Sequence, residues 1–239
     1  FQSILSNSKF AKFLLLDQYG FSQIDNNVFN RLVNSPKTDF IFFIATSFIA
    51  RFKEHDNVKK YIDTNKIEFD STKPHECHRI IANYYQSLIP ADKEYYLHHF
   101  TIENGVNRYG LIFGTAHTLG MEKFLKVCWK YDNLAGEANM NIDGNHKPGE
   151  LFYVAGSSNK KDAVKEEIKE MVLSGRIADN ITGFKYALKQ KCMPNVLSEV
   201  IKELESKKKL RRIGAKSYTS TDIHKIKVGS KDYYKIELL

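Results

Sequence analysis

An acidic and an aromatic residue lie two positions apart after a short apolar run, and side chains of these types can do chemistry. Phe13-Leu14-Leu15-Leu16 contains no polar residue and leads into Asp17-Gln18-Tyr19-Gly20. The run is typical of a strand covered on both faces of a parallel sheet. Open α/β sheets place their sites at the carboxyl ends of such strands. There, Asp17 can orient the exocyclic amine of a nucleobase and Tyr19 can stack on a base turned out of its helix.

The same residues allow a structural interpretation. Amino-methyltransferases carry an acid-Pro-Pro-aromatic segment at this place, whereas Gln18 follows the acid here. In the alternative, Asp17 caps a turn and Tyr19 packs at the sheet edge. Asp17 and Tyr19 are therefore candidate catalytic residues, with the structural role kept beside them.

A glycine-rich cofactor loop is missing from the sequence, since no G-x-G-x-x-G occurs. Folds of this class begin with a strand and such a loop. The chain thus enters its sheet part-way, and the first half is expected on another polypeptide or on a removed segment. We expect no cofactor in this chain, and S-adenosylmethionine only if the missing N-terminal part is present.

Basic side chains are concentrated towards the end of the chain. The 239 residues include 36 Lys+Arg and 28 Asp+Glu, a net charge of +8. Residues 1–150 hold 17 of each sign, so the excess belongs to residues 151–239, with 19 basic and 11 acidic. This division predicts two modules, 1–150 and 151–239, the second of which faces a polyanion. Alternatively, the lysines only keep the protein soluble.

Hydrophobic periodicity predicts the elements of the first module. Two buried strands with helices between them, closed by an antiparallel hairpin, correspond to the later half of a methyltransferase-type Rossmann sheet. In the last helix Phe124, Val127 and Trp129 are predicted to face inward. The predicted elements are helix 25–33, strand 38–46, helix 73–88, hairpin strands 95–101 and 109–115, and helix 119–131.

The second module is predicted to be a winged helix-turn-helix domain. Helices at 161–173 and 182–189 precede a third helix opened by Met193-Pro194-Asn195, and strands 210–213 and 233–238 flank a polar loop. In this plan the third helix reads a groove and the wing contacts phosphates. The predicted nucleic-acid contacts are Asn195, Ser198, Lys202, Lys207, Lys208, Lys209, Arg211, Arg212, Lys216, Lys225 and Lys227. Glu199 and Glu203 also fall on the predicted reading face and favour an alternative, a module for protein contacts.

Histidines and cysteines do not form a metal-binding pattern. His75-Glu76-Cys77-His78 places its histidines three apart, which is not the H-E-x-x-H spacing. Cys77, Cys128 and Cys192 are far apart and odd in number, as expected for reduced thiols. The longest apolar run is too short to cross a bilayer. We therefore expect a cytoplasmic protein with no metal and no membrane partner.

Four segments in a fixed order resemble the three-Cys-motif partner protein (TcmP) family. They are 13–21 (FLLLDQYGF), 38–43 (TDFIFF), 119–124 (LGMEKF) and 181–204. The resemblance implies a methyltransferase-like Rossmann domain followed by a winged helix, of which this chain matches the C-terminal portion. It also implies a radical-SAM-type partner bearing three cysteines, in a bacterial or phage setting. Family members usually carry Asp-Pro-Tyr-Gly at residues 17–20 and a longer N-terminal part.

The sequence thus predicts an α/β protein: a partial Rossmann-like sheet followed by a winged helix-turn-helix domain. The predicted function is that of a nucleic-acid-associated, methyltransferase-like partner protein in a modification or defence system, with DNA as the expected nucleic acid. The alternative is a non-enzymatic DNA-binding or scaffold subunit that docks the radical-SAM-type partner. The sequence leaves open whether the chain is an enzyme.

Overall fold

A computed structural model describes residues 2–17, 24–44, 76–105, 107–142, 159–220 and 222–239. They form two compact units. The first contains the described residues up to Met121 together with Glu137–Ile142, and the second contains Glu122–Gly136 and the described residues from 159 onwards. The predicted division at residue 150 differs from this one, because Glu122–Gly136 packs within the second unit. Within the described residues, no helix is long and apolar enough to span a membrane.

The first unit is built on a mixed four-stranded sheet. Strands β1 (Lys12–Leu16) and β2 (Thr38–Ile44) are parallel, with Leu14 opposite Phe40. Strands β3 (Tyr96–Asn104) and β4 (Asn107–Thr115) form an antiparallel hairpin. The order is β1-β2-β4-β3, so the last strand in sequence lies between β2 and β3. The predicted pair of parallel strands and the predicted hairpin are confirmed.

Helices cover the face of the sheet that carries Phe40 and Phe42. Helix α1 spans Gln2–Ser6, α2 spans Asn26–Asn34 and α3 spans Cys77–Ser87. The Asp25 side chain caps α2 by accepting a hydrogen bond from the Val28 amide, 2.8 Å away. The buried core beneath these helices combines aliphatic side chains with aromatic ones, among them Phe29, Phe40, Phe42 and Tyr85.

Strand β1 is not covered on both faces, contrary to the prediction. Phe13 and Leu15 are 64% and 63% exposed, whereas Leu14 and Leu16 pack against the core on the other face. The neighbouring strand β2 buries one face fully, since its burial alternates from Thr38 to Ile44, and the residues on its other face are only partly buried. An uninterrupted apolar run therefore did not show that only one face of the strand is covered.

Helix α4 (Thr118–Tyr131) forms where predicted but buries a different face. Met121, Leu125 and Cys128 are its buried side chains, at intervals of four and three. Val127, predicted to face inward, is 55% exposed. His117 shapes the start of this helix, because its Nδ1 accepts a hydrogen bond from the Leu119 amide at 3.1 Å.

From residue 159 onwards, the described part of the second unit has three α-helices, a short 3₁₀ helix and a two-stranded antiparallel sheet. Its hydrophobic core is contiguous and includes Ile168, Phe184 and Ile201. Gly183 allows α6 to lie close to α7, since a Cβ there would be 2.5 Å from a Leu197 methyl carbon. The elements are α5 (Lys160–Leu173), α6 (Asn180–Lys189), α7 (Asn195–Ser206), β5 (Leu210–Gly214), a 3₁₀ helix (Ile223–Lys225) and β6 (Tyr234–Leu238).

Candidate nucleic-acid interface

Helix α7 is the element on which the predicted interface depends. Pro194 stands directly before it, as expected for a residue that lacks an amide hydrogen. The buried stripe of Val196, Val200, Ile201 and Leu204 is the predicted one. Of the polar residues predicted on its outer face, Asn195, Lys202 and Ser206 are exposed, while Glu199 and Glu203 are partly exposed.

Two of the three glutamates of α7, Glu199 and Glu203, are paired with lysines of α5. Glu199 lies 2.7 Å from Lys161 Nζ and 2.6 Å from Lys165 Nζ. Glu203 lies 3.4 Å from Lys169 Nζ and 2.6 Å from Lys207 Nζ. These contacts neutralise the acidic charge that weakened the nucleic-acid interpretation of the sequence.

The pKa values of both glutamates follow from these pairs. Burial alone would raise the pKa of Glu199, but the hydrogen bonds and charges of Lys161 and Lys165 outweigh it and hold that pKa below its usual value. Hydrogen bonds from Lys207 and Lys169 lower the pKa of Glu203. Both carboxylates are therefore ionised at neutral pH.

Ser198 does not lie on an exposed reading face, so this part of the prediction is wrong. Its side chain is buried because residues 215–220, which follow β5, pack over the middle of α7. Ser198 Oγ donates to the Tyr218 carbonyl at 3.1 Å and contacts Thr219 Oγ1. The Tyr218 hydroxyl donates to Glu205 Oε2 at 2.7 Å, and Lys202 Nζ lies 4.8 Å from the centre of the Tyr218 ring.

Arg212 is occupied by contacts within the unit. Its guanidinium bonds to Glu205 at 3.0 Å and stacks 3.7 Å from the Tyr218 ring. It also donates to three backbone carbonyls, those of residues 215, 216 and 217. Its side chain is 12% exposed. The predicted phosphate contact is thus a structural clamp that holds residues 215–217.

Three exposed lysines form the turn between α7 and β5, here called the basic turn (Lys207, Lys208 and Lys209). Backbone hydrogen bonds fix the turn, from the Lys208 amide to the Glu205 carbonyl and from the Lys209 amide to the Leu204 carbonyl. Lys207 pairs with Glu203, whereas Lys208 and Lys209 have no acidic partner among the described residues. Arg211, two residues further on, pairs with Glu237 at the surface.

The remaining predicted contacts lie in the long connection between β5 and β6. The Arg212 clamp holds the Lys216 backbone, since its guanidinium donates to the Lys216 carbonyl at 3.1 Å. Lys225 pairs with Asp222 at 3.3 Å. Among the described residues, Lys216 and Lys227 have no acidic partner, and no contact joins Lys225 or Lys227 to the basic turn.

The excess of basic residues lies in a shorter segment than the predicted module 151–239. Between residues 207 and 235 the sequence has ten Lys and Arg, and its acids are Asp222 and Asp232. This excess of eight equals the net charge of the whole chain. Sequence reasoning missed Tyr218 and Glu205, which anchor the wing segment, because single polar residues in a loop carry no periodic signal.

The predicted catalytic residues of the first unit are not brought together by the described structure. Asp17 is exposed directly after β1, at the carboxyl end of that strand. Tyr19 lies outside the described residues. No group of His, Cys, Asp and Glu in the described ranges has the geometry to hold a metal ion. His75 of the predicted histidine motif also lies outside them, and Cys77, Cys128 and Cys192 are buried free thiols.

Comparison of the chain with protein-family models, with curated proteins and with solved structures found no match.

Proposed function

We propose that the second unit binds nucleic acid through the phosphate backbone, with the basic turn and Lys216 as its main contacts. The observation that carries this proposal is the concentration of the chain's net charge in residues 207–235. Ammonium groups without an acidic partner keep their full attraction for phosphate, and binding releases the counterions of the nucleic acid.

The order of elements supports a winged-helix arrangement, in which three helices precede a two-stranded sheet. In such modules the third helix enters the major groove. Here residues 215–220 pack over the middle of α7 and bury Ser198. This cover favours contact with phosphates over base readout by the middle of α7, and so binding with little dependence on sequence.

The test is a salt titration of oligonucleotide binding to the full chain, measured by fluorescence anisotropy. The variant combines Lys208→Gly, Lys209→Ala and Lys216→Ala. Lys208 has a φ of +54°, a conformation that favours glycine, so its replacement removes charge without straining the turn. Three lost contacts are expected to reduce the slope of log affinity against log salt by about two to three.

The matched control removes three exposed lysines from helices of the same unit, by Lys123→Ala, Lys126→Ala and Lys189→Ala. We expect this control to change the slope much less than the basic-turn variant does. Binding that does not depend on salt, or equal losses in the two variants, would contradict the proposal. In that case a protein-contact role for the second unit would be favoured.

A second candidate function is supported by the order of the sheet. A strand order of β1-β2-β4-β3, with β4 antiparallel to both neighbours, supports the proposal of a methyltransferase-type sheet. Asp17 at the carboxyl end of β1 then belongs to a target pocket. In this candidate the chain acts as a methyltransferase-like component beside a radical-SAM-type partner.

The residues present do not fit S-adenosylmethionine, because the chain has no G-x-G-x-x-G loop. We therefore derive no step through that cofactor. Calorimetric titration of the chain with S-adenosylmethionine is expected to show no heat of binding. Saturable binding would show that other residues replace the loop, and co-purification with a radical-SAM-type protein would support the partner role.

A further inference from the structure

A groove of about 220 Å³ lies in the second unit where α4 ends and where α5 and α7 begin. Trp129 and Asn133 come from the end of α4 and the turn after it, and Lys161 comes from the first turn of α5. The other side is formed at the start of α7. The lining residues are Trp129, Asn133, Lys161, Met193, Asn195 and Val196. We call it the Trp129 groove.

The indole of Trp129 is held in one orientation. Its Nε1–H donates to the Lys191 carbonyl at 3.1 Å. Gly136, at φ +68°, lies over one face of the five-membered ring, where a Cβ would come within 2.7 Å of Nε1, 2.8 Å of Cε2 and 2.9 Å of Cδ1, so only the opposite face can receive a ligand. The turn that carries Gly136 is itself fixed, because Lys160 Nζ donates to the Ala135 carbonyl at 3.1 Å. The Trp129 groove therefore contains a rigid aromatic surface.

Polar groups also line the Trp129 groove. Lys161 Nζ and Asn195 Nδ2 both donate to Glu199 Oε1, at 2.7 and 3.1 Å. Glu199 thus holds the Asn195 side chain at the start of α7 and leaves its amide oxygen as an acceptor. Asn133 is exposed and adds a second amide. An aromatic surface facing amide groups and an ammonium matches the chemistry of a nucleobase and its phosphate.

We propose that the Trp129 groove receives one unpaired base of the nucleic acid that the second unit binds, and this inference rests on the proposed function. The base stacks on Trp129 beside Met193, and the amides of Asn133 and Asn195 face its polar edge. The groove is smaller than the roughly 300–1,000 Å³ typical of cofactor sites, which suits a single ring system. The ligand class is therefore single-stranded or locally unpaired nucleic acid.

The position of the groove sets the length of strand that is needed. Asn195 begins α7 and the basic turn follows its end, and twelve helical residues span about 18 Å. At about 3.4 Å per nucleotide, a strand must cover roughly five nucleotides to reach both places. Oligonucleotides of ten residues are therefore long enough for the test.

Trp129 is the chain's single tryptophan, so its emission reports directly on the groove. The full chain is titrated at low salt with a ten-residue thymidine oligonucleotide and with an abasic oligonucleotide of equal length and charge. We expect the thymidine strand to quench Trp129 emission and to bind about fivefold or more tightly than the abasic strand. Equal affinity together with unchanged emission would overturn the proposal.

A matched pair of variants separates groove occupancy from net charge. Asn133→Glu places a negative charge at the exposed rim and is expected to abolish the preference for the base-bearing strand. Thr182→Glu adds the same charge at the third residue of α6, where Asp179 caps the helix, and is expected to retain that preference. A preference that survives Asn133→Glu would contradict the proposal.

The two proposals fail in distinguishable ways. If both oligonucleotides bind equally and with steep salt dependence, phosphate binding stands and the base site is wrong. If neither oligonucleotide binds at low salt, the proposed function and the base site are both wrong. A response of Trp129 to an aromatic peptide, with none to the thymidine strand, would assign the groove to a protein partner instead.

Discussion

The first unit buries titratable side chains beside its sheet, whereas the second pairs its charges along the surfaces of its helices. In the first unit His78, His99 and Glu137 are buried, and Arg79 bonds to Glu137 at 2.8 Å. His78 Nδ1 lies 3.0 Å from Thr101 Oγ1. Burial, and then the charges of His99 and Arg108, lower the pKa of His78 to about 3.

In the second unit the corresponding groups remain partly in water. The side chains of Lys165 and Glu199 are 30% and 35% exposed, although their atoms are 2.6 Å apart. Such pairs contribute little to stability individually and are weakened by salt. We therefore expect the stability of the first unit to depend on mild acid, and the ion pairs of the second unit to depend on ionic strength and on polyanions.

The largest expected effect comes from the aromatic core of the first unit. Phe40 is fully buried and contacts Phe29 and Phe42, so Phe40→Ala is expected to cost about 3–5 kcal/mol of unfolding free energy. Region-resolved hydrogen exchange should show faster exchange in β2 and β4. Ile201→Ala is the counterpart in the second unit, where exchange should rise in α7. If either variant accelerated hydrogen exchange equally in both units, the chain would unfold as one cooperative unit.

An intermediate effect on stability is expected from two adjacent arginines of β5, Arg211 and Arg212. Arg212→Ala removes the guanidinium donor from three backbone carbonyls and one of the donors to Glu205, and we expect a loss of about 1–3 kcal/mol in urea unfolding followed by Trp129 emission. Arg211→Ala removes the same charge from an exposed pair and should change stability much less. Equal effects would show that Arg212 is no clamp.

The smallest effect, when it is compared over a single pH unit, is the pH dependence of the first unit. Below pH 6.5 the unfolded chain binds a proton at His78 that the folded unit does not bind until about pH 3. Stability is therefore complete above pH 6.5 and declines as the pH falls, by at most about 1.4 kcal/mol per pH unit. His78→Asn should reduce this slope, measured by hydrogen exchange in β3 and β4 across the same range. An unchanged slope would assign the acid sensitivity to other groups.

Much of the secondary structure follows from local pattern. The helical periodicity of apolar residues predicted α5, α6 and α7, because each helix buries one stripe of residues at intervals of three and four. The hairpin of β3 and β4 followed from two apolar runs separated by a turn signal. For α4 the same reasoning selected the wrong face, since Val127 is apolar yet exposed and helix 118–131 has apolar residues on several sides.

The positions of the charged residues can be read from the sequence alone, and they place the net charge of +8 in the C-terminal part. Which of those charges can contact a ligand depends on the folded structure. Arg211 and Arg212 are neighbours of identical type, yet one is exposed and the other is clamped by Glu205 and the carbonyls of residues 215–217. The partners of Arg212 are only three to seven residues away, but they meet its guanidinium because the chain turns back after β5, and hydrophobic periodicity does not encode such a turn.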